Sequence, residues 1–188
     1  MSLRRGLLLG SSLISFAIFV AVYEVLGPSR AVHRLWHMRS SGVLHALRFG
    51  GAKIGVGTVI EGPLFLNIDS ELGFRPLTIG CDCYLGESVH IDIKGPVSIG
   101  DRVTISMGTH LLSHQDVGRS RLRASMPEIR PGCRIGSDSY LGAGAIVLPG
   151  SSIGSSCVIG AGAVVVGEIL SQQTAAGVPA RPLVNRSQ

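Results

Sequence analysis

The chain has 188 residues, a formal net charge of +5, and 45% hydrophobic against 15% charged residues. That is enough apolar material for one domain with a core, and it excludes a highly charged disordered chain. The basic excess is carried by arginines with few aromatics between them, which suits phosphates or an anionic membrane surface and gives no support to nucleic-acid binding.

In chain order, Arg4 and Arg5 precede an apolar run from Gly6 to Val22, at the lower edge of what spans a bilayer. The flank is "YEVLGPSR", without the small-x-small site of a removed signal peptide. Arg30, Arg34, Arg39 and Arg48 outnumber Arg4 and Arg5, so an inserted helix would leave the rest of the chain in the cytoplasm. Gly6 with Gly10 and Ser11 with Ser15 form small-xxx-small pairs that let helices approach closely. Residues 7–26 therefore read either as a membrane anchor or as a helix packed within the protein or its oligomer. The stretch "AVHRLWHMRSSGVLHALRFGG" predicts one or two short helices ending at Gly50 and Gly51. His33, His37 and His45 lie there among arginines, and no chemistry is assigned to them.

The 26 glycines, about twice the average share, follow a six-residue period. From Ile135 the chain divides into IGSDSY, LGAGAI, VLPGSS, IGSSCV, IGAGAV and VVGEIL, each beginning with a branched aliphatic residue. The same frame recovers Ile54, Ile60 and Leu66, then Ile79, Leu85 and Ile91, then Ile99, Ile105 and Leu111, and again Ile129. Insertions interrupt it at "IDSELGFRPLT" and between Leu111 and Ile129. The fifth position is small: Thr58, Cys83, Thr109, Cys133, Ser139, Ala145, Ser151, Cys157 and Ala163. Three of the four cysteines are thereby packing atoms in a reducing compartment. The fourth position repeats Gly or Asp, as at Gly57, Asp82, Gly108, Gly132, Asp138, Gly144, Gly150 and Gly162, types that tolerate positive φ at corners. A period of six fits neither a helix nor a long alternating strand. It predicts an all-β parallel solenoid with three six-residue sides per coil and coils stacked roughly 4.8 Å apart. Residues 1–50 are then an N-terminal apolar helix with short linker helices, and 51–188 the solenoid with a loop inserted at about 112–128.

The hexads ending in "LGAGAIVLPGSSIGSSCVIGAGAVV", followed by "AAGVPARPL", resemble the left-handed β-helix acyltransferases, the hexapeptide-repeat family, over about residues 50–185. The lead-in "LRFGGAKIG" also resembles members that acetylate sugars of polysaccharides and glycolipids. The left hand is an implication of the resemblance, since crossovers in general favour the opposite one. The resemblance further implies a homotrimer with acyl-CoA, most simply acetyl-CoA, bound between adjacent solenoids, no required metal, and direct transfer to an acceptor hydroxyl or amine, of which a saccharide or glycolipid hydroxyl is the expectation here. An enzyme using cytosolic acyl-CoA would work in the cytoplasm, or on the inner face of the cell membrane if residues 7–26 attach it there.

A thioester is already activated, so the protein's task is to take a proton from the acceptor and stabilise the oxyanion. His114, in "LLSHQD", ends a hexad where the inserted loop begins and matches the family's catalytic histidine. His110 is the fallback, Asp116 or Glu128 could orient the base, and His90 with His110 otherwise reads as surface or interface packing. By the same resemblance, Ala143 and Ala161 hold the pantetheine arm, Arg181 a phosphate, and Tyr140 stands where many members have Trp. Val166 and Gly167 replace a common Thr-Lys, which removes a cation. Two other readings compete. One is a γ-carbonic-anhydrase-like zinc site from His90, His110 and His114, although their hexad positions differ from that enzyme's. The other is a non-enzymatic membrane scaffold.

Overall fold

The structure, a computed structural model, describes residues 2–38 and 40–183. From Lys53 to Ala176 the chain visits three sheets in strict rotation, and each strand pairs in parallel with strands one coil away. The first face stacks Lys53–Ile54, Leu77–Ile79, Val97–Ile99, Cys133–Ile135, Ser152–Ile153 and Glu168–Ile169. The second runs from Val59–Ile60 to Thr174–Ala176 and is closed by the antiparallel strand Arg181–Pro182. The third runs from Leu64–Asn67 through Val89–Asp92 and His110–Leu111 to Val164–Val165.

The hexad grammar is visible residue by residue. First-position residues pair with one another, Ile79 with Ile99 and Ile99 with Ile135 on the first face, Leu85 with Ile105 on the second, Ile91 with Leu111 on the third. All are buried in the interior. The fifth-position residues are buried beside them, and the small hydroxyls there bond backbone: Thr58 Oγ1 donates to the Gly80 carbonyl at 2.8 Å and Ser139 Oγ to that of Gly154 at 2.9 Å. Every Gly or Asp expected at a fourth-position corner has positive φ, from 54° at Asp82 to 80° at Gly150. Second-position glycines answer a different constraint. A Cβ on Gly136 would lie 2.5 Å from the Ser155 amide nitrogen of the next coil, so the stacking distance leaves no room for a side chain.

Ile129 corrects the frame. It is 45% exposed and forms an isolated antiparallel bridge with Gln115, so it closes the neck of the inserted loop and does not extend an interior column. Cys133 re-enters the first face beyond it. Interior columns have no slack, and Ile135→Ala should destabilise the fold by about 2–5 kcal/mol, read as a lower urea midpoint with an unchanged slope.

Helices α1 (Ser2–Leu26), α2 (Pro28–Ala31) and α3 (Ser40–Phe49), with a 3₁₀ turn Val32–His37, cap the first coil. Phe16, Phe19, Val20 and Tyr23 follow a three-to-four spacing and form the inward stripe of α1; Phe19 stacks on Phe74 at 6.1 Å and meets Phe49 edge-on at 6.5 Å. The second half of α1 is therefore packed on the body of the protein. Leu13, Ile14, Ile18, Val25 and Leu26 remain exposed. Among the described residues no helix is long and apolar enough to cross a membrane. Arg4, Arg5 and the Gly6–Gly10 pair, with Ser11, have side chains outside the described residues.

Candidate active site

His114 sits where the third face ends and the inserted loop departs. Its fourth-position backbone lacks the positive φ of the other corners, because the chain leaves the solenoid there. Its side chain is only 16% exposed, and Nδ1 lies 2.6 Å from Asp92 Oδ2. Asp92 comes from the coil below, at the end of strand Val89–Asp92, between the buried Ile91 and Ile93. The same oxygen accepts the Ser113 and His114 amides, each at 2.9 Å, and the Ser113 hydroxyl at 2.8 Å. Oδ1 is buried without a hydrogen-bond partner among the described residues.

Burial by itself raises the Asp92 carboxyl; the hydrogen bonds from His114 and Ser113 outweigh it, and the pKa is lowered from the ordinary value. Asp92 is thus a carboxylate at neutral pH, and a carboxylate beside Nδ1 fixes the proton on that nitrogen. The imidazole then keeps Nε2 free as a proton acceptor.

Neither carboxylate considered from the sequence orients His114. Asp116 Oδ1 accepts the Gly118 amide at 2.8 Å within the loop, and Glu128 pairs with Arg130 at 2.7 Å. Arg130 also holds Asp69 at 2.8 Å, which ties the loop's exit to the other insertion. The sequence signal for Asp92 is an acid between two core isoleucines in "HIDIK", one coil before the histidine.

His114 lines a cleft of about 370 Å³ together with Trp36, Phe65, Asn67, His90, Asp92 and His110. Phe65, His90 and His110 hold equivalent outward positions on successive coils. Their rings form a parallel column, each 4.4 Å from the next. Burial, then the neighbouring His110, lowers the His90 pKa. The column sets His90 and His110 face to face, 7° from parallel, which is not a convergent ligand set, and no group of three His, Cys, Asp or Glu among the described residues could hold a metal ion.

The residues expected to hold CoA lie elsewhere on the prism. Tyr140 is on the second face, 44% exposed, and its hydroxyl accepts from Ser106 at 3.1 Å. Ala143 is in the turn from the second face to the third and lines a groove of about 530 Å³ with Tyr84, Glu87 and Met107. Ala161 is at the same corner one coil on, where the Gly162 amide donates to the Ala143 carbonyl at 2.9 Å. Arg181 is exposed on the last strand of the second face, pairing with Ala176. Val166 and Gly167 form the turn from the third face to the first, with φ of 81° at Gly167.

The structure combines a three-faced solenoid with a His–Asp pair at the mouth of its inserted loop. Residues 132–167 match the family model "Bacterial transferase hexapeptide (six repeats)", and residues 76–113 match "Hexapeptide repeat of succinyl-transferase". No curated protein matches. Among solved structures, the chain is similar to the acetyltransferase domain of PglB from Neisseria gonorrhoeae, with 28% identity and a TM-score of 0.52 over 71% of this chain and 52% of that one. It thus spans about half the length of that chain. It also shares a fold with a hexapeptide-repeat acetyltransferase of Vibrio cholerae (21% identity, TM-score 0.73, 88% and 94% covered) and a maltose O-acetyltransferase of Clostridium difficile (21%, 0.59, 88% and 87%). The chain thus carries hexapeptide repeats over residues 76–113 and 132–167 and shares the fold of the hexapeptide-repeat acetyltransferases to which it is similar.

Proposed function

We propose that the protein is an acyl-CoA-dependent O-acyltransferase, with acetyl-CoA as donor and a saccharide or glycolipid hydroxyl as acceptor. The observation that carries this reading is the His114–Asp92 pair facing the cleft. His114 Nε2 takes the acceptor's O–H proton as that oxygen attacks the thioester carbonyl. The tetrahedral intermediate expels the CoA thiolate, which recovers the proton from the imidazolium; an O-acyl ester and free CoA result. Asp92 keeps the tautomer and stabilises the imidazolium. Acetyl-CoA as cosubstrate is supported by the gonococcal acetyltransferase domain, whose structure in complex with acetyl coenzyme A is also similar to this chain at 28% identity. The test is acetyl-CoA binding by calorimetry with thiol release as the activity, neither of which requires the acceptor.

The working form in this reading is a homotrimer. Ala143 and Ala161 lie at the corner where the third face begins, next to Tyr140 on the second face, and His114 lies at the third face's other end, a separation of one prism side, roughly 15–20 Å for six residues. A neighbouring solenoid laid alongside brings the donor corner of one chain to the His114 of the next, so that transfer occurs between subunits.

The same reading places the enzyme on the cytoplasmic side of a membrane, with α1 lying on the surface through Leu13, Ile14, Ile18, Val25 and Leu26, which stay exposed while the opposite stripe is packed. Full-length protein should float with vesicles of mixed neutral and anionic phospholipid, and Ile14→Glu with Ile18→Glu should return it to the soluble fraction. Failure of the unaltered chain to float would remove membrane attachment from the proposal.

A further inference from the structure

The cleft beside His114 has one wall that the repeat does not supply. Trp36 belongs to the 3₁₀ turn Val32–His37, which packs on strand Leu64–Asn67. Its indole lies 5.3 Å from Phe65, tilted by 56°, and 4.8 Å from His33, edge-on. Phe65, His90 and His110 cover one another's faces and present ring edges to the cleft. Trp36, tilted across the end of that column, is 38% exposed and lines the same cleft. Among the described residues the ring nitrogens of His90 and His110 have no hydrogen-bond partner within the chain. Asn67, from the strand that carries Phe65, adds an amide to the lining. The cleft therefore offers an apolar indole at one end, hydrogen-bonding edges along its side, and the His114 base at its mouth.

A flat ring with an apolar face and hydroxyls around its rim matches that arrangement. Indole rings bury apolar surface at low entropic cost, and a site built with hydroxyl partners rejects ligands that lack them far more strongly than an apolar pocket can. We propose that this cleft is the acceptor subsite and that Trp36, His90, His110 and Asn67 select a pyranose ring, with Trp36 packing on its apolar face and presenting one hydroxyl to His114. This rests on the acyltransferase reading of His114. It gives the N-terminal segment a role in substrate choice, and it assigns His110 to acceptor binding.

Trp36 is the single tryptophan of the chain, so its emission reports on the cleft directly. The full-length protein would be titrated with maltose, methyl α-glucoside, methyl β-galactoside and N-acetylglucosamine, with the open-chain polyol sorbitol as control. A saturable change with at least one cyclic sugar and none with sorbitol is the expected result. For the sugar that also accelerates thiol release, Trp36→Ala and the double variant His90→Gln with His110→Gln should raise acceptor KM at least tenfold and lower kcat less than threefold. Trp36→Phe should recover much of the loss, and an unchanged affinity for acetyl-CoA would verify the fold of each variant. If acetyl-CoA binds and no cyclic sugar moves the emission, or sorbitol moves it equally, the subsite is wrong while the enzyme reading stands. If a sugar binds and no acyl-CoA does, the enzyme reading is wrong while the subsite stands. A variant that lowers kcat tenfold with KM unchanged would place its residue in the chemical step and overturn its assignment here.

Discussion

His114→Ala is expected to lower acyl transfer, read as thiol release from acetyl-CoA, by about 10²–10⁴-fold, the usual contribution of a positioned general base, while acetyl-CoA still binds. The companion change, Asp92→Asn, should be milder, and the reason lies in how Asp92 is bonded. All its hydrogen bonds fall on Oδ2, which accepts two amides and a hydroxyl as well as facing His114. An asparagine can keep its carbonyl oxygen at that position and turn its amide nitrogen to the site of Oδ1, which has no partner. Tautomer and ring orientation would persist. What is lost is the negative charge that stabilises the imidazolium, so the loss should be smaller than that of His114→Ala. Asp92→Ala should be worse than asparagine, because it also leaves the Ser113 and His114 amides without an acceptor in a buried place. Activity of His114→Ala within threefold of the unaltered protein would end the general-base assignment and make His110 the next residue to test.

The repeat was legible because each of its positions answers one physical demand. First-position aliphatics fill a column, fifth positions must be small, second positions meet the backbone of the next coil, and fourth positions turn at positive φ. A single frame through Ile79, Leu85 and Ile91 therefore predicted burial and corner geometry together. His114 was legible for the converse reason, since it stands where the pattern breaks. Its partner was not. Asp92 lies in a hexad that otherwise keeps the frame, and its proximity to His114 depends on how coils of unequal length stack. Ile91 and Leu111 are paired though 20 positions apart, Ile99 and Ile135 though 36 apart. Once a coil departs from 18 residues, sequence distance no longer gives spatial distance, and the nearby Asp116 looked as eligible as Asp92. Trp36 was illegible for a further reason: it reaches the cleft from a turn outside the repeat, so no periodicity could carry it there. Ile129 satisfied the frame by composition alone, and the loop neck claimed it instead.

Mixed trimers should regain activity from two inactive variants. The proposed donor corner at Ala143 and Ala161 and the proposed base at His114 lie on different edges of the same prism, so in this reading a site shared between subunits takes one half from each. His114→Ala supplies intact donor corners. Ala161→Asp, which puts a bulky anion where Ala161 is exposed at that corner, supplies intact bases and should bind acetyl-CoA poorly. Each variant alone should be inactive. Unfolded or dissociated and reassembled at equal ratio, or co-expressed, they form trimers in which about one interface in four joins two intact halves, so about a quarter of the unaltered activity should return. Sites contained within one chain would return none, because every chain carries one lesion. Mixing the two intact homotrimers without subunit exchange should also give none, which separates complementation from release of a soluble intermediate. Activity returning only after exchange would therefore establish that the site is shared between subunits, with transfer from the donor corner of one solenoid to the acceptor activated by its neighbour. No return in trimers shown to be mixed would mean that CoA reaches His114 of its own chain, and the third face itself would then be the path of the pantetheine arm.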